Sequence, residues 1–257
     1  MRNIKLTIEY DGTNYSGWQI QPDSPTIQGA LEAAVRMIIA YKISSDNTPS
    51  DLSYDGIHGA SRTDAGVHAF AHVATFKTDS LIPVDGLRRG LNSILPGDIA
   101  VKDAALVPAD FDARRHSKGK TYLYKVLTGP TRSPVYRNRC WYLRESLDLE
   151  LMQEGAKLLV GEKDFSSFRA SGCGAKHPIR EVTSFTVEAG DDGFIEFTVR
   201  GTAFLRHMVR IMVGTLVELG KGKVTINEFK DIIEAKKRTA APYTAPPQGL
   251  FLMKTEY

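Results

Sequence analysis

The segment SRTDAGVHA (61–69) brings an acidic side chain and two basic side chains together with little bulk between them. Asp64 follows Arg62 by two residues and precedes His68 by four. Because side chains two apart in an extended segment point to the same side, we expect the Arg62 guanidinium beside the Asp64 carboxylate. A guanidinium fixes a carboxylate and favours its ionised form, which suits a nucleophile or an electrostatic stabiliser. The same residues also fit an Arg–Asp pair that only holds a turn.

Other reaction classes find little support in the sequence. No second carboxylate lies nearby for glycoside hydrolysis, and there is no nucleophile elbow, phosphate loop or HExxH pattern. Cys173 and His177 lack the second Cys/His pair that a four-ligand site needs. We therefore predict no metal and no cofactor. His68, between Val67 and Ala69, is predicted to be structural rather than a general base.

Composition is that of an ordinary folded protein of 257 residues, with 42% hydrophobic and 25% charged residues. Two cysteines favour a reducing compartment. The N-terminus lacks the apolar run of a signal peptide, and no stretch approaches the roughly 18 apolar residues of a membrane span. We predict a cytoplasmic protein without a membrane segment.

The formal net charge of +3 does not by itself demand a nucleic-acid partner. The basic residues are, however, grouped in three runs: 113–120, which contains Arg114, Arg115 and Lys118; the neighbourhood of Arg206 and Arg210; and 236–238. A single run is usually a solvated face, but three runs suggest a positive surface patch.

Alternation and helical periodicity predict two successions of strands and helices. In the first half we expect strands at 3–10, 54–60, 69–76 and 99–107, helices at 26–42 and 84–94, and an exposed loop at 44–52, with Thr26 as an N-cap. In the second half we expect strands at 121–128, 140–143 and 249–257, a hairpin of 180–189 with 194–201, and helices at 148–160, 202–219 and 227–236. Phe204 is expected on the apolar side of the helix over 202–219.

Short links between mixed elements indicate an α+β fold of two similar subdomains, with mainly antiparallel sheets and helices on one face. We predict subdomains at 1–110 and 111–257, and an active-site cleft between them.

A signature motif and five further blocks in the family's order resemble the bacterial TruA-type tRNA pseudouridine synthases. SRTDAGVHA is similar to that family's GRTDAGVHA signature. The other blocks are IEYDGTNYSGWQIQPDSPTIQGALEAA, FDARRHSKGKTYLYKV, GEKDFSSFRASG, and FLRHMVRIMVGTL with the closing PQGLFLMKTEY. The resemblance covers nearly the whole chain. Ser61 stands where the family usually has Gly, which puts the backbone of the loop or the substrate range in question rather than the chemistry.

The resemblance implies a uridine-to-pseudouridine isomerisation in which the N1–C1′ bond breaks and the uracil rejoins through C5. By match to the motif, Asp64 is the nucleophile, and attack at C1′ or at C6 both remain open. The resemblance further implies that Arg62 displaces the target base and holds phosphate, and that Arg210 pairs with Asp64. Tyr122 stacks on the flipped uracil and Leu250 packs against it, whereas Tyr124 is expected in the core.

The resemblance also implies a homodimer that acts on the anticodon stem-loop of tRNA, at positions 38 to 40. Arg114, Arg115 and Lys118 are predicted to contact RNA phosphates, although Arg115 could instead be an internal ion-pair partner. Two alternatives stay open: the same chemistry on ribosomal or other RNA, and a non-catalytic RNA-binding module. The second gives no reason for an acid among arginines.

Overall fold

A computed structural model of the protein describes residues 1–45 and 54–257, with the side chains of 40–45 left aside. The described chain forms two compact units, one made of 1–118 with 252–257 and the other of 119–251. The predicted boundary at 110/111 lies eight residues before this division. The difference arises because 111–118 and the C-terminus pack in the first unit: the Lys118 N–H donates to Glu256 O (2.8 Å), and the Tyr257 hydroxyl donates to Ala113 O (2.8 Å).

The first unit is built on antiparallel strands. They are β1 (Arg2–Tyr10), β2 (His58–Gly59), β3 (His68–Thr78) and β4 (Ile99–Val107), with β1 between β3 and β4, and β2 on β3. The alternation that predicted β1 places Ile4, Leu6 and Ile8 in the core, each with no exposed surface. The strand predicted over 54–60 is reduced to β2, because Gly56 has a φ of +88° that extended pairing does not accommodate.

Two helices accompany these strands. Helix α1 (Ile27–Ser45) begins after Thr26, whose side chain accepts from the Gly29 N–H (3.2 Å), so the predicted N-cap is confirmed. Helix α2 (Val84–Ile94) has the predicted bounds and ends before Pro96. Of the loop predicted over 44–52, residues 44 and 45 belong to α1 and the remainder lies outside the described residues.

The second unit has five strands: β5 (Gly119–Thr128), β6 (Trp141–Leu143), β7 (Gly161–Asp164), β8 (Ile179–Ala189) and β9 (Phe194–Gly201). Their order is β5–β9–β8–β7 with antiparallel pairing, and β6 pairs with β5 in parallel. The predicted hairpin of β8 and β9 is confirmed. Strand β7 was not predicted, since the sequence GEKD has no apolar alternation.

Three helices complete the second unit: α3 (Leu149–Leu158), α4 (Met208–Gly220) and α5 (Ile226–Ala235). The helix predicted over 202–219 was wrong at its start, because His207 adopts a left-handed backbone (φ +59°) that excludes residues 202–207 from the helix. Phe204 therefore precedes α4. The final strand, β10 (Leu250–Glu256), begins in the second unit and ends in the first. The predicted α+β class is confirmed.

Candidate active site

Asp64 lies in the loop between β2 and β3, half-buried, with exposed Arg62 and buried Thr63 beside it. Backbone hydrogen bonds tie this loop to the segment after β1. Trp18 N–H donates to Thr63 O (3.1 Å), and Gly66 N–H donates to Tyr15 O (3.3 Å). A third bond, from Val67 N–H to Asp64 O (3.2 Å), closes a turn around the acid. The carboxylate is therefore carried by a loop whose backbone is fixed on both sides.

Two glycines allow the segment after β1 to approach the Asp64 loop this closely. A Cβ on Gly17 would lie 2.6 Å from Thr63 O, and Gly17 also has a φ of +96°. A Cβ on Gly12 would lie 2.0 Å from Val67 O. No side chain fits at either position without moving backbone, so the Gly-rich pattern DGTNYSG reflects contact with the Asp64 loop.

Aromatic residues support the loop from the core of the first unit. The Tyr10 hydroxyl and Thr63 Oγ1 are 2.7 Å apart in a buried hydrogen bond. Trp18, which is 1% exposed, stacks on His72 with ring centroids 3.8 Å apart. The sequence pattern did not reveal these contacts, because Tyr10 and Thr63 are 53 residues apart.

His68 is held in a buried pairing with Asp11. Its Nδ1 lies 3.1 Å from Asp11 Oδ1 and also 3.1 Å from the Gly12 backbone nitrogen. These contacts compete for one ring atom: Nδ1 donates to the carboxylate if it carries a proton and accepts from Gly12 if it does not. At 2% exposure, His68 is consistent with the predicted structural role.

In the second unit, Tyr122 on β5 is 7% exposed and meets Phe204 edge to face, with centroids 5.2 Å apart at 85°. Tyr124, predicted in the core, is fully buried, and its hydroxyl donates to Pro246 O (2.7 Å). Burial raises the pKa of Tyr124 well above its usual value, against the opposing charge of Arg210. Phe204 is a neighbour of Tyr122 that the sequence missed, since it was assigned to a helix.

Arg210 lies on α4 and is half-buried against the segment before β10. Its Nε donates to Ala245 O (2.8 Å), and the Ala245 N–H donates to Arg210 O (3.0 Å). Leu250, 6% exposed, follows Gly249, where a Cβ would lie 2.7 Å from the Tyr124 ring. Arg210 is thus held by its hydrogen bonds with Ala245, and Leu250 by the close packing of Gly249 on the Tyr124 ring.

The predicted site residues therefore fall in both units. Asp64 and Arg62 belong to the first, whereas Tyr122, Arg210 and Leu250 belong to the second. Contacts fix each side chain within its own unit. The pairing of Arg210 with Asp64 stays a prediction.

Comparison with known proteins identifies the family. The family model described as tRNA pseudouridine synthase matches residues 6–114 and 156–257. The chain belongs to this family. The tRNA pseudouridine synthase A of Myxococcus xanthus is 44% identical over 257 residues, covering 100% of the chain and 92% of the relative. The proteins of that name from Geotalea uraniireducens and a Thermoanaerobacter strain are 44% and 43% identical, with full coverage of both chains.

Similarity to solved structures is low. A Cbf5–Nop10–Gar1 complex aligns with 96% of this synthase and 57% of that structure's chain, at 12% identity and a TM-score of 0.31. A TM-score at this level carries no argument about the synthase.

In the basic segment 113–120 of the synthase, residues 113–115 form a turn capped by Asp112, and Gly119 and Lys120 begin β5. Asp112 Oδ1 accepts from the backbone N–H groups of Arg114 (2.8 Å) and Arg115 (2.7 Å), while the side chains of Arg114, Arg115 and Lys118 are exposed. Burial raises the pKa of Asp112, but these two hydrogen bonds and the charges of Arg115 and His116 outweigh it, so the pKa is lowered overall. The segment presents three cationic side chains to solvent.

Two further features concern metals and membranes. Within residues 1–45 and 54–257, no three His, Cys, Asp or Glu side chains are grouped to hold a metal ion. The described helices include none with the length and apolar character that crossing a membrane requires.

Proposed function

We propose that Asp64 is the nucleophile with which this tRNA pseudouridine synthase isomerises uridine, and that its targets are positions 38 to 40 of the anticodon stem-loop. Isomerisation breaks the N1–C1′ bond, turns the uracil and forms a C5–C1′ bond, with no net redox change. A covalent bond from the Asp64 carboxylate to the ribose or to the uracil divides this exchange into easier steps.

The observation that carries the proposal is the support of Asp64. Its loop is bonded through Thr63, Gly66 and Val67, and two glycines admit the opposing backbone. A nucleophile held by a fixed backbone reaches its reacting geometry without a further ordering step. A non-catalytic RNA-binding module would gain nothing from this arrangement, because a carboxylate repels phosphate.

The remaining site residues receive roles that suit their surroundings. The Arg62 side chain is exposed rather than packed in the core. It can therefore insert into the RNA, displace the target base and bind a phosphate. Tyr122, whose ring is held edge to face by Phe204, stacks on the uracil and takes part in proton transfer at C5. Arg210 pairs with Asp64 and favours its ionised form, and Leu250 packs against the base.

We further propose that the enzyme is a cytoplasmic homodimer whose two sites span one tRNA. The same chemistry on ribosomal or other RNA is the alternative substrate assignment. Mapping pseudouridine in total RNA from cells with and without the protein separates these substrates. Sedimentation of the pure protein tests the dimer, which a monomer at all concentrations would refute.

Asp64→Asn is the direct test of the nucleophile. We expect loss of tritium release from C5-labelled uridine in tRNA, with tRNA affinity largely kept, because the substitution removes the charge but not the shape of the side chain. Asp64→Ala should give the same result.

Asp103→Asn, which makes the same chemical change at an exposed position of β4, is the matched control and should retain wild-type release. Release at the wild-type rate from Asp64→Asn would refute the nucleophile assignment.

A further inference from the structure

We propose that Arg169, Lys176, Arg180 and Arg206 form a phosphate-binding site for the RNA backbone, distinct from the basic segment 113–120. We name these four residues the arginine loop cluster. The proposal rests on the proposed function, since it takes tRNA as the ligand. All four residues belong to the second unit.

Two loops build the cluster. Residues 169–178 are the part of the β7–β8 connection that precedes β8, and residues 202–207 connect β9 to α4. They are tied together by Ala170 N–H donating to Arg206 O (3.1 Å), by Arg206 Nη1 donating to Ser171 O (3.2 Å), and by Arg206 N–H donating to Cys173 Sγ (3.4 Å). The position of the Arg206 side chain is therefore fixed against the first loop.

The guanidinium groups of Arg169 and Arg180 stabilise the loop by hydrogen bonds to its carbonyl oxygens. Each guanidinium has further N–H donors beyond those engaged in these bonds. Arg169 Nη2 donates to Cys173 O (2.9 Å) and Ala175 O (2.7 Å), and Arg180 Nη1 donates to His177 O (3.1 Å). Each guanidinium carries five N–H donors, and one nitrogen of each is engaged here. Lys176 is exposed at the tip of the same loop.

The charges of the cluster are not balanced by acids. Residues 165–180 and 200–210 contain no Asp or Glu. Asp164 and Glu181 flank the first segment, and Asp164 Oδ1 is bonded to the Ser166 N–H (2.9 Å). Among the described residues, Arg169, Arg180 and Arg206 donate to backbone oxygens rather than to carboxylates. Like charges gathered without counter-ions raise the free energy of the fold, which an anionic ligand would offset.

Two titratable neighbours respond to this positive potential. Burial lowers the pKa of Arg180, and the charge of Arg169 lowers it further, against the opposing effect of Cys173. Burial would raise the pKa of the Cys173 thiol, but hydrogen bonds from Arg206, Ala175 and Arg169, with the charge of Arg169, lower it overall. The lowered pKa of Cys173 is the direction expected where hydrogen-bond donors and a positive charge favour an anion.

The ligand is identified by the position of the cluster along the chain. Arg206 follows Phe204 by two residues, and Phe204 packs on Tyr122. If Tyr122 faces the target uracil, a phosphate near that nucleotide lies next to the loop that carries Arg206. A phosphodiester group of the tRNA is therefore the expected anion, held by Arg in the forked geometry that suits phosphate oxygens.

Cys173 serves as a native reporter of site occupancy. Its lowered pKa favours alkylation by iodoacetamide, whereas Cys140 is 3% exposed and burial raises its pKa. Phosphate bound at the cluster would offset the positive potential and raise the Cys173 pKa. We expect anticodon stem-loop RNA to slow Cys173 alkylation several-fold near neutral pH, and inorganic phosphate at equal phosphate concentration to have little effect.

Equal protection of Cys173 by inorganic phosphate would indicate a free-anion site and overturn the assignment to the RNA backbone. No protection by either would overturn the site.

A salt titration of RNA affinity supplies the second measurement. In Lys176→Gln/Arg206→Gln, the slope of log K against log salt should become shallower by up to about one unit for each lost contact. Arg206→Lys should keep most of the wild-type slope. Arg89→Gln is the matched control: it removes the same charge from an arginine already 3.3 Å from Asp85 Oδ2, and should leave the slope unchanged.

The double variant overturns the proposal if its slope equals that of the wild type. The proposed function is tested separately. If the wild type formed no pseudouridine but the double variant still lost RNA affinity, the activity would be refuted and the binding site would stand. Normal Asp64-dependent turnover with no effect in either cluster experiment would refute the cluster alone.

Discussion

Thr63 links the core of the first unit to the loop that carries Asp64, the proposed nucleophile. Its carbonyl accepts from Trp18 N–H, and its hydroxyl is bonded to Tyr10, so both main chain and side chain are fixed immediately before Asp64. If Asp64 is the nucleophile, we expect Tyr10 to be a positioning residue, because its hydrogen bond to Thr63 limits the movement of the peptide that carries the carboxylate. A buried hydrogen bond of this kind is worth about 1 kcal/mol.

Tyr10→Phe tests this positioning role. Removing the hydroxyl leaves Thr63 Oγ1 without that partner, so we expect the free energy of unfolding to fall by about 1–3 kcal/mol. A misplaced carboxylate should also lower kcat, by roughly tenfold for each 1.4 kcal/mol of barrier, with little change in KM for tRNA. Thermal melting and steady-state tritium release measure the two effects.

Tyr257→Phe is the matched control, because its hydroxyl also donates a hydrogen bond within the first unit, to Ala113 O, away from Asp64. It should lower stability without lowering kcat. A kcat loss of equal size in both variants would mean that general destabilisation, rather than positioning, explains the result.

The site residues differ in how far the sequence could predict them. Asp64, Arg62, Tyr122, Arg210 and Leu250 were proposed from ordered motif blocks, and the structure positions each by local contacts without testing its role. Tyr10 and Phe204 were missed because their partners lie 53 and 82 residues away in the chain, and no periodic pattern encodes such pairs.

At the scale of elements, the ends of helices show how local chemistry sets boundaries. Helix α5 begins with a capping box in which Thr225 Oγ1 accepts from Glu228 N–H (3.3 Å) and Thr225 N–H donates to Glu228 Oε2 (2.8 Å). It ends at Lys236, which has a φ of +51°. The C-terminal position is strained for a lysine, since L-residues with side chains adopt this conformation at a cost.

Lys236→Gly should stabilise the protein, because glycine adopts the left-handed conformation freely. After the greater unfolded-state entropy of glycine is subtracted, we expect a gain of about 0.5–1 kcal/mol and a rise in Tm of roughly 1–3 °C. Calorimetry measures both.

Lys230→Gly is the opposite control within the same helix. It places glycine at an exposed helix-interior position and should lower stability by about 1 kcal/mol. If both glycine variants lowered Tm, the left-handed strain at Lys236 would make no significant contribution to the free energy of unfolding.

Elements with clear local signals were predicted closely. Helix α2 and strand β4 have the predicted bounds, since proline and glycine punctuate a strong periodic pattern on either side of them. The helix predicted over 202–219 began too early because Phe204 and Leu205 continue the apolar spacing, whereas α4 begins only after His207, whose backbone is left-handed. Sequence periodicity does not report a single backbone reversal of this kind.

At the scale of the whole molecule, the sequence predicted two α+β halves but placed the boundary too early. The reason is physical: residues 111–118 gain their hydrogen bonds from the C-terminal strand, which returns from more than 130 residues away. The first unit contains residues 113–118 of the basic segment, together with Asp64, whereas Gly119 and Lys120 belong to the second.

Replacement of Arg114, Arg115 and Lys118 by Ala tests that role. If these exposed side chains hold RNA phosphates, KM for tRNA should rise much more than kcat falls, and the salt slope of affinity should become shallower by up to about three units. The Asp112 cap uses the backbone N–H groups of Arg114 and Arg115, which alanine keeps, so Tm should change little.

A triple variant of Arg88, Arg89 and Lys102 to Ala provides the control for net charge. These residues lie in the same unit and already pair with carboxylates, at 2.8 Å and 3.3 Å from Asp85 and 3.0 Å from Glu9. Because each of these cations already pairs with a carboxylate, with Arg88 and Arg89 sharing Asp85, their removal should leave the salt slope unchanged. An unchanged salt slope in the variant of Arg114, Arg115 and Lys118 would indicate that these side chains do not contact RNA. A large fall in Tm would instead assign Arg115 an internal structural role, so melting run beside the titration distinguishes the two outcomes.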